Sequence, residues 1–172
     1  MPRTFIKILF LLFLLFSCAN QSESEEPIAA EETNKKVVSV LIDSVWNRKD
    51  LKAIDNYFHN TFTRRVNSVN LASSKNELNA NLQIYFTGFP DIRIQADNMV
   101  SKGNQVYMSW TLTGTNTGVY GELQPTGKKV RISGITRFEF DESGKIIHED
   151  VFYNELSLLQ QMGHTLNPPV LE

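Results

Sequence analysis

The chain has 172 residues, a formal net charge of −2 and a single cysteine, and 41% of its residues are hydrophobic. One cysteine excludes an internal disulfide, so the folded part must be stabilised by a hydrophobic core, which a chain of this length can form. A mildly acidic chain without a cluster of lysine and arginine gives no electrostatic basis for binding nucleic acid.

The N-terminus has a basic start followed by an apolar run over residues 8–16. This run is shorter than the roughly 20 apolar residues of a membrane-spanning helix, and with its basic flank it is typical of a signal peptide over residues 1–17. It ends in Leu15, Phe16, Ser17 and Cys18, which resembles the lipobox of bacterial lipoproteins. The resemblance implies lipid on Cys18 and anchoring in the bacterial cell envelope, with the outer membrane favoured. The acidic stretch after the cysteine also resembles the signal that sends some Bacteroidetes-type lipoproteins to the cell surface. An ordinary secretory signal with an incidental cysteine is the alternative.

The composition after the cysteine changes twice along the chain. Residues 18–33 are rich in serine and glutamate and have no aromatic residue, which predicts an acidic, flexible linker behind the lipidated cysteine. Residues 34–165 carry the hydrophobic patterns and predict one folded domain. Residues 166–172 contain two adjacent prolines and predict a loose tail.

The first half of the domain has the spacing of helices. Apolar residues predict a helix over residues 34–47, and Asp50 is a good N-cap for a second one that carries Leu51, Ile54, Tyr57 and Phe58. Ser74 and Glu77 have the spacing of a capping box, which predicts a third helix that ends near Gly88.

After Asp91 the hydrophobic period changes to two, which is typical of strands. Strands are predicted from residue 92, over residues 106–113, over residues 129–140 and over residues 145–153, with turns at residues 102–104 and 141–144. A short helix over residues 155–162 closes the domain. Helices followed by an antiparallel meander predict an α+β fold, in which one curved sheet packs on the helices.

Several motifs follow one another in a fixed order between residues 35 and 163. They are residues 45–51 (VWNRKDL), 89–91 (FPD), 114–118 (GTNTG), 125–128 (PTGK), 144–146 (GKI) and 159–163 (LQQMG). In this order they resemble the SnoaL-like polyketide cyclases, or ester cyclases, of the NTF2-like superfamily. The resemblance implies a cone of sheet and helices around an apolar pocket, and a homodimer formed through the outer sheet face. It also implies acid/base ring closure by an aspartate, without a metal or an organic cofactor.

Strand alternation selects candidate acid/base residues. If the last hairpin is regular, His148, Asp150, Phe152 and Asn154 point into the pocket with Phe138. Burial beside aromatic rings would raise the pKa of Asp150 into a useful range, so Asp150 is the candidate base and His148 the second candidate. The alternatives are an ion-paired or exposed Asp150 and a His148 that only flanks the hairpin turn.

Other residues are candidates for binding the ligand. Asn116 stands where the family commonly has a histidine, and Asn154 stands where it commonly has its acid, so both acid/base groups are replaced by amides. Arg64 and Arg65 stand where the family often has a pocket histidine, and they either bind an acidic group or solvate a loop. Aromatic side chains that line the pocket or pack the core are Trp46, Tyr85, Trp110, Phe138 and Phe152.

Three functions remain open at this point. The first is a cofactor-free cyclase or isomerase that acts on a small, apolar, oxygenated molecule. The second is a membrane-anchored module that binds such a molecule without changing it. The third is a protein-interaction module whose cavity is filled by its own side chains.

Overall fold

The computed structural model describes residues 25–167, so the predicted signal peptide, Cys18 and most of the predicted tail lie outside the described residues. The helices are α1 (Glu25–Leu41), α2 (Ile54–Tyr57), α3 (Lys75–Gly88) and α4 (Glu155–Met162). A π-helical turn (Ile42–Asn47) and a 3-10 turn (Leu51–Ala53) lie between α1 and α2. The strands are β1 (Phe58–Val66), β2 (Val69–Ala72), β3 (Arg93–Lys102), β4 (Gln105–Thr115), β5 (Lys129–Phe140) and β6 (Ile146–Tyr153).

These strands form one curved, six-stranded sheet in the order β2-β1-β6-β5-β4-β3, and the predicted α+β fold is confirmed. All neighbours are antiparallel except β1 and β6, which are parallel. The sequence did not predict β1 and β2, and it placed Phe58 in a helix, whereas Phe58 begins β1. The alternation in β1 was hidden because one of its buried positions is an arginine, Arg64.

Helix α1 begins nine residues before the predicted start at Asn34, so the predicted linker is wrong from Glu25 onwards. Alanine and glutamate are good helix formers, and a polar composition therefore does not prevent a helix here. The Thr33 hydroxyl donates to the Ala29 carbonyl at 2.8 Å. The Glu31 carboxylate accepts a hydrogen bond from the Gly103 backbone N–H at 2.7 Å, which joins the helix to the turn between β3 and β4.

The predicted helix starts at Ser74 and Asp50 are confirmed. The Ser74 hydroxyl accepts from the Glu77 backbone N–H at 3.3 Å, and the Glu77 carboxylate accepts from the Ser73 N–H at 2.7 Å. The Asp50 carboxylate accepts from the Lys52 N–H at 3.2 Å, although it caps the 3-10 turn rather than a long helix. Caps of this kind satisfy backbone donors that the helix leaves free.

The core lies between the helices and the inner face of the sheet. Fully buried side chains from the helices meet buried side chains from the strands, and each contributes roughly 1.5–3 kcal/mol of hydrophobic stabilisation. They include Leu41, Leu78, Leu82, Phe62, Met108, Phe138, Phe140 and Ile146. Asn47 joins the π-helical turn to β3, since its side-chain amide exchanges two hydrogen bonds with the Ile94 backbone at 2.8 and 3.0 Å. Trp46, the residue before Asn47, is buried at the inner face of the sheet.

Candidate functional site

A β-bulge decides which side chains of β6 face the core. Phe140 pairs with Ile146, but Glu139 pairs with His148, so Ile147 is an extra residue in the ladder. One extra residue turns every later side chain to the opposite face. Beyond the bulge, Glu149 lies opposite the buried Phe138 and shares its inward face.

The predicted inward orientation of His148, Asp150, Phe152 and Asn154 is therefore wrong. His148 pairs with Glu139 and Phe152 pairs with Ile135 on the outer face, where 49% of Phe152 is exposed. Asn154 follows β6, and its side-chain oxygen accepts from the Ser157 N–H at 3.0 Å as the N-cap of α4. The prediction assumed a regular hairpin, and the bulge breaks that assumption.

Inside the cone, a small cavity of about 30 Å³ lies between the sheet and the helices. For scale, one molecule of liquid water occupies about the same volume. Four residues predicted to bind a ligand line this cavity, namely Trp46, Tyr85, Trp110 and Phe138. The cavity is mainly apolar, so its few polar groups stand out.

The main polar group in the cavity is an ion pair between Arg64 and Glu149. Arg64 on β1 lies beside Glu149 on β6 in the parallel register, and their side chains meet at 2.5 Å (Nη1 to Oε1). The exposed fractions of the two side chains are only 3% and 4%. The Arg64 guanidinium also lies 5.7 Å from the Trp46 ring centroid, within range of a cation–π interaction.

This pair leaves two buried atoms without a hydrogen-bond partner among the described protein atoms, Arg64 Nε and Glu149 Oε2. Buried polar atoms are nearly always paired, and unpaired ones in a cavity are candidates for contact with a ligand. A carboxylate oxygen in this position can accept a proton, and a guanidinium N–H can donate a hydrogen bond to an oxygen atom. The cavity thus has an acid/base group and a fixed positive charge side by side.

Two tyrosine side chains, Tyr85 and Tyr153, line the cavity, and a third, Tyr120, packs against Tyr85. The hydroxyls of Tyr85 and Tyr153 are 3.1 Å apart, and the Tyr120 ring packs on Tyr85 with centroids 5.4 Å apart. Burial raises the pKa of both Tyr120 and Tyr153, and the neighbouring Tyr85 raises both further. The phenols of Tyr120 and Tyr153 consequently remain protonated at neutral pH and are able to donate hydrogen bonds.

The family model of the SnoaL-like polyketide cyclases matches residues 36–162, which is well over half of the chain. The chain belongs to the SnoaL-like polyketide cyclase family. Among curated proteins, none matches the sequence.

Solved structures with the same SnoaL-like fold come from several bacteria. A protein described as a SnoaL-like polyketide cyclase from Jannaschia sp. CCS1 is 22% identical, with a TM-score of 0.73 over 87% of this chain and 99% of that one. AclR from Streptomyces galilaeus, described as a proposed hydroxylase, is 21% identical, with a TM-score of 0.69 over 81% and 86%. A phenazine biosynthesis-related protein from Pseudomonas aeruginosa is 14% identical, with a TM-score of 0.69 over 86% and 96%. At these identities the likeness shows the fold alone.

Asp150 occupies an ion-paired position on the outer face of this SnoaL-like domain. Its carboxylate contacts Arg65 Nε at 2.6 Å and Arg137 Nη2 at 2.6 Å. The hydrogen bond from Arg65, together with the hydrogen bond and charge of Arg137, holds the pKa of Asp150 below its ordinary value, although burial acts in the opposite direction. Asp150 therefore remains ionised at neutral pH and faces away from the cavity.

Asn116, which the sequence predicted to bind a ligand, lies outside the cavity as well. Its side chain is fully buried in the loop between β4 and β5. The amide N–H groups donate to the carbonyls of Gly88 and Gly118 at 3.2 and 3.0 Å, and the amide oxygen accepts from the Thr126 backbone N–H at 2.8 Å. Every contact fixes the loop to itself or to the end of α3, so the structure gives Asn116 a structural role.

Sequence reasoning missed Glu149, the acid that does face the cavity. One signal was available: Ile146 and Ile147 are adjacent apolar residues, and such a doublet interrupts the alternation of a strand where a bulge can occur. A second signal was the pattern of Phe62, Arg64 and Val66, which share one face of β1. A buried arginine needs an acidic partner, and Glu149 provides it.

Within residues 25–167, no group of three or more histidine, cysteine, aspartate or glutamate side chains is arranged to hold a metal ion. Over the same part of the chain, no helix has the length and apolar character needed to cross a membrane.

Proposed function

We propose that this protein binds a small, mainly apolar molecule that carries oxygen, and that it cyclises or isomerises that molecule by cofactor-free acid/base chemistry. The supporting observation is the buried Arg64–Glu149 pair, which presents an unpartnered carboxylate oxygen in an apolar cavity. An apolar cavity with a few convergent polar groups is typical of a binding or active site, and a buried polar atom without a partner calls for one.

In the proposed reaction, Glu149 Oε2 removes a proton from a carbon next to a carbonyl group. The electrons of the broken C–H bond form an enolate, whose oxygen is stabilised by hydrogen bonds from Arg64 and a tyrosine hydroxyl. The enolate carbon then attacks a second carbonyl of the same molecule and closes a ring, and the new alkoxide takes the proton back from Glu149. Isomerisation needs only return of the proton to a different carbon.

Ligand binding requires the cavity to enlarge. Sites for small molecules have volumes of about 300–1,000 Å³, whereas this cavity measures about 30 Å³. The Tyr85 and Tyr153 hydroxyls, both in the cavity lining, are joined by one hydrogen bond, and Tyr153 is only partly buried. We propose that the ligand enters between Tyr85 and Tyr153 as their side chains separate.

The first test is native mass spectrometry of residues 18–172, produced without the signal peptide, followed by extraction of any bound small molecule. The extracted compound is then incubated with the wild type, with Glu149→Gln, and with Asp150→Asn as the matched control on the outer face. We expect Glu149→Gln to lower turnover at least about 100-fold and Asp150→Asn to leave it unchanged. Normal turnover by Glu149→Gln would remove the proposed catalytic role.

A binding or interaction module without catalysis is the second candidate, and the small cavity favours it. The amides Asn116 and Asn154 at the positions of two acid/base groups of the family favour it too. A ligand that is extracted unchanged and never converted would support a binding module. A clean mass without ligand would support an interaction module with a filled core.

We also propose that the protein is exported and anchored to the outer membrane through lipid on Cys18, as its lipobox-like sequence suggests. Replacement of Cys18 by serine should release it from the membrane fraction.

A homodimer through the outer sheet face is proposed on the family resemblance and on the exposure of Ile135 and Phe152, which are 53% and 49% exposed. The native mass gives the number of subunits directly.

A further inference from the structure

The two unpartnered atoms of the buried ion pair differ in their hydrogen-bonding role. Arg64 Nε carries a hydrogen and can only donate, whereas Glu149 Oε2 belongs to a carboxylate and accepts. Leaving such groups buried and unpaired is costly, so a ligand that satisfies both gains affinity over one that satisfies only one. The pair therefore favours a ligand group that both donates and accepts a hydrogen bond over a group that does only one of these.

We propose that the cavity contains a subsite for a neutral hydroxyl group on an otherwise apolar molecule, such as an alcohol, a phenol or an enol. A hydroxyl donates its proton to Glu149 Oε2 and accepts a hydrogen bond from Arg64 Nε. A ketone, the form from which the proposed reaction starts, has no O–H to donate and leaves Glu149 Oε2 unpaired, whereas its enol form satisfies both atoms. A carboxylate brings a second negative charge next to Glu149 and is repelled. This inference rests on the proposed binding of a small molecule, and it specifies the class.

Other polar groups of the cavity lining are hydrogen-bonded to one another, so the ion pair is the group that discriminates between ligands. Trp110 Nε1 donates to the Thr136 hydroxyl at 2.9 Å, so these two side chains satisfy each other. The Tyr85 and Tyr153 hydroxyls contact one another at 3.1 Å. The surfaces of Met108 and Phe138 provide apolar contact for the hydrocarbon part of the ligand.

The test compares three probes that share one ring: phenol, benzene and benzoate. Dissociation constants are measured by NMR titration of residues 18–172 for the wild type, Glu149→Gln, and Asp150→Asn as the matched amide variant on the opposite face. A double variant, Arg64→Met with Glu149→Leu, removes both groups and leaves no unpaired charge if the single variant fails to fold. The expected result is that wild type and Asp150→Asn bind phenol about tenfold or more tightly than benzene or benzoate.

The binding data distinguish failure of the hydroxyl subsite from failure of small-molecule binding. The double variant should bind phenol and benzene with equal affinity, and Glu149→Gln should show a reduced preference. If the wild type binds benzene as tightly as phenol, the hydroxyl subsite is refuted while small-molecule binding stands. If the double variant keeps the preference for phenol, the pair is not the subsite. If none of the three probes binds to the wild type, both the subsite and the proposed small-molecule function are refuted.

Discussion

Glu149 and Asp150 are neighbours in the sequence, yet their carboxylates lie on opposite faces of the sheet, 2.5 Å from Arg64 and 2.6 Å from Arg65. The parallel register of β1 and β6 places each arginine beside its own acid. One pair is closed inside the core; in the other, on the outer face of the sheet, 47% of the Arg65 side chain but only 6% of the Asp150 side chain is exposed. Two arginine–carboxylate pairs that are adjacent along β1 and β6 therefore lie in different surroundings, one in the apolar core and one on the outer face of the sheet.

Removal of Arg64 alone should destabilise the domain strongly. Arg64→Met leaves the Glu149 carboxylate buried without its partner, and we expect a loss of about 3–5 kcal/mol in the free energy of unfolding. The double variant Arg64→Met with Glu149→Leu should recover stability to within about 1 kcal/mol of the wild type or above it. Urea denaturation monitored by circular dichroism measures both. A double variant no more stable than Arg64→Met would contradict this account of the pair.

Asp150 should stabilise the fold in a pH-dependent way. Its pKa is lower in the folded state than its ordinary value, so its contribution is complete above the unfolded pKa of about 3.9 and is lost as the pH falls through the folded pKa. Asp150→Asn should cost about 1–3 kcal/mol at pH 7. The difference from the wild type should shrink as the pH falls below about 4.

Urea unfolding of both proteins at pH 7, 5 and 3 tests this prediction. Asp91 and Asp141 also have lowered pKa values, but they titrate in both proteins and cancel in the difference. A difference that is the same at pH 3 and pH 7 would show that the charge of Asp150 is not what stabilises the sheet.

The loop between β4 and β5 should depend on the Asn116 amide. Asn116→Ala removes its contacts with Gly88, Gly118 and Thr126 and leaves those buried groups unpaired, so we expect a loss of about 2–4 kcal/mol. Hydrogen exchange should accelerate across residues 116–128. The control Asn98→Ala, at an exposed position of β3, should change stability by less than about 0.5 kcal/mol. Equal effects of the two substitutions would argue against this role.

Gly134 keeps space for the Trp110 ring. A Cβ atom at residue 134 would lie 2.3 Å from Trp110 Cζ2 and 2.6 Å from the Phe152 carbonyl oxygen. We expect Gly134→Ala to displace the indole from its place in the cavity wall and to cost about 1–3 kcal/mol. The near-ultraviolet circular dichroism of tryptophan should change, whereas Ser133→Ala, at the neighbouring exposed position, should leave it unaltered. An unchanged spectrum for Gly134→Ala would contradict the packing described here.

The sequence predicted the elements whose signals are local. The cap at Ser74 and the alternation of β5 depend only on residues close together in the sequence. For this reason α3, β5 and α4 were predicted closely. The candidate site was not predicted, because it depends on the bulge at Ile147 and on a pairing of Arg64 with Glu149 across 85 positions of the chain. A side chain's face depends on the register of its strand, and register is a property of the folded sheet rather than of the residue itself.

If Cys18 carries the proposed lipid, the early start of α1 limits how far the domain can stand from the membrane. Only six residues, 19–24, separate Cys18 from Glu25, and even fully extended they span about 20 Å, whereas the predicted linker of residues 19–33 would span about 50 Å. The Glu31–Gly103 contact lies at the β3–β4 turn, and Tyr153 lies at the far end of β6 from that side of the sheet. A lipidated protein would consequently stand with its turns towards the bilayer and its tyrosine end towards the surrounding water, so that ligands would arrive from solution rather than from the lipid.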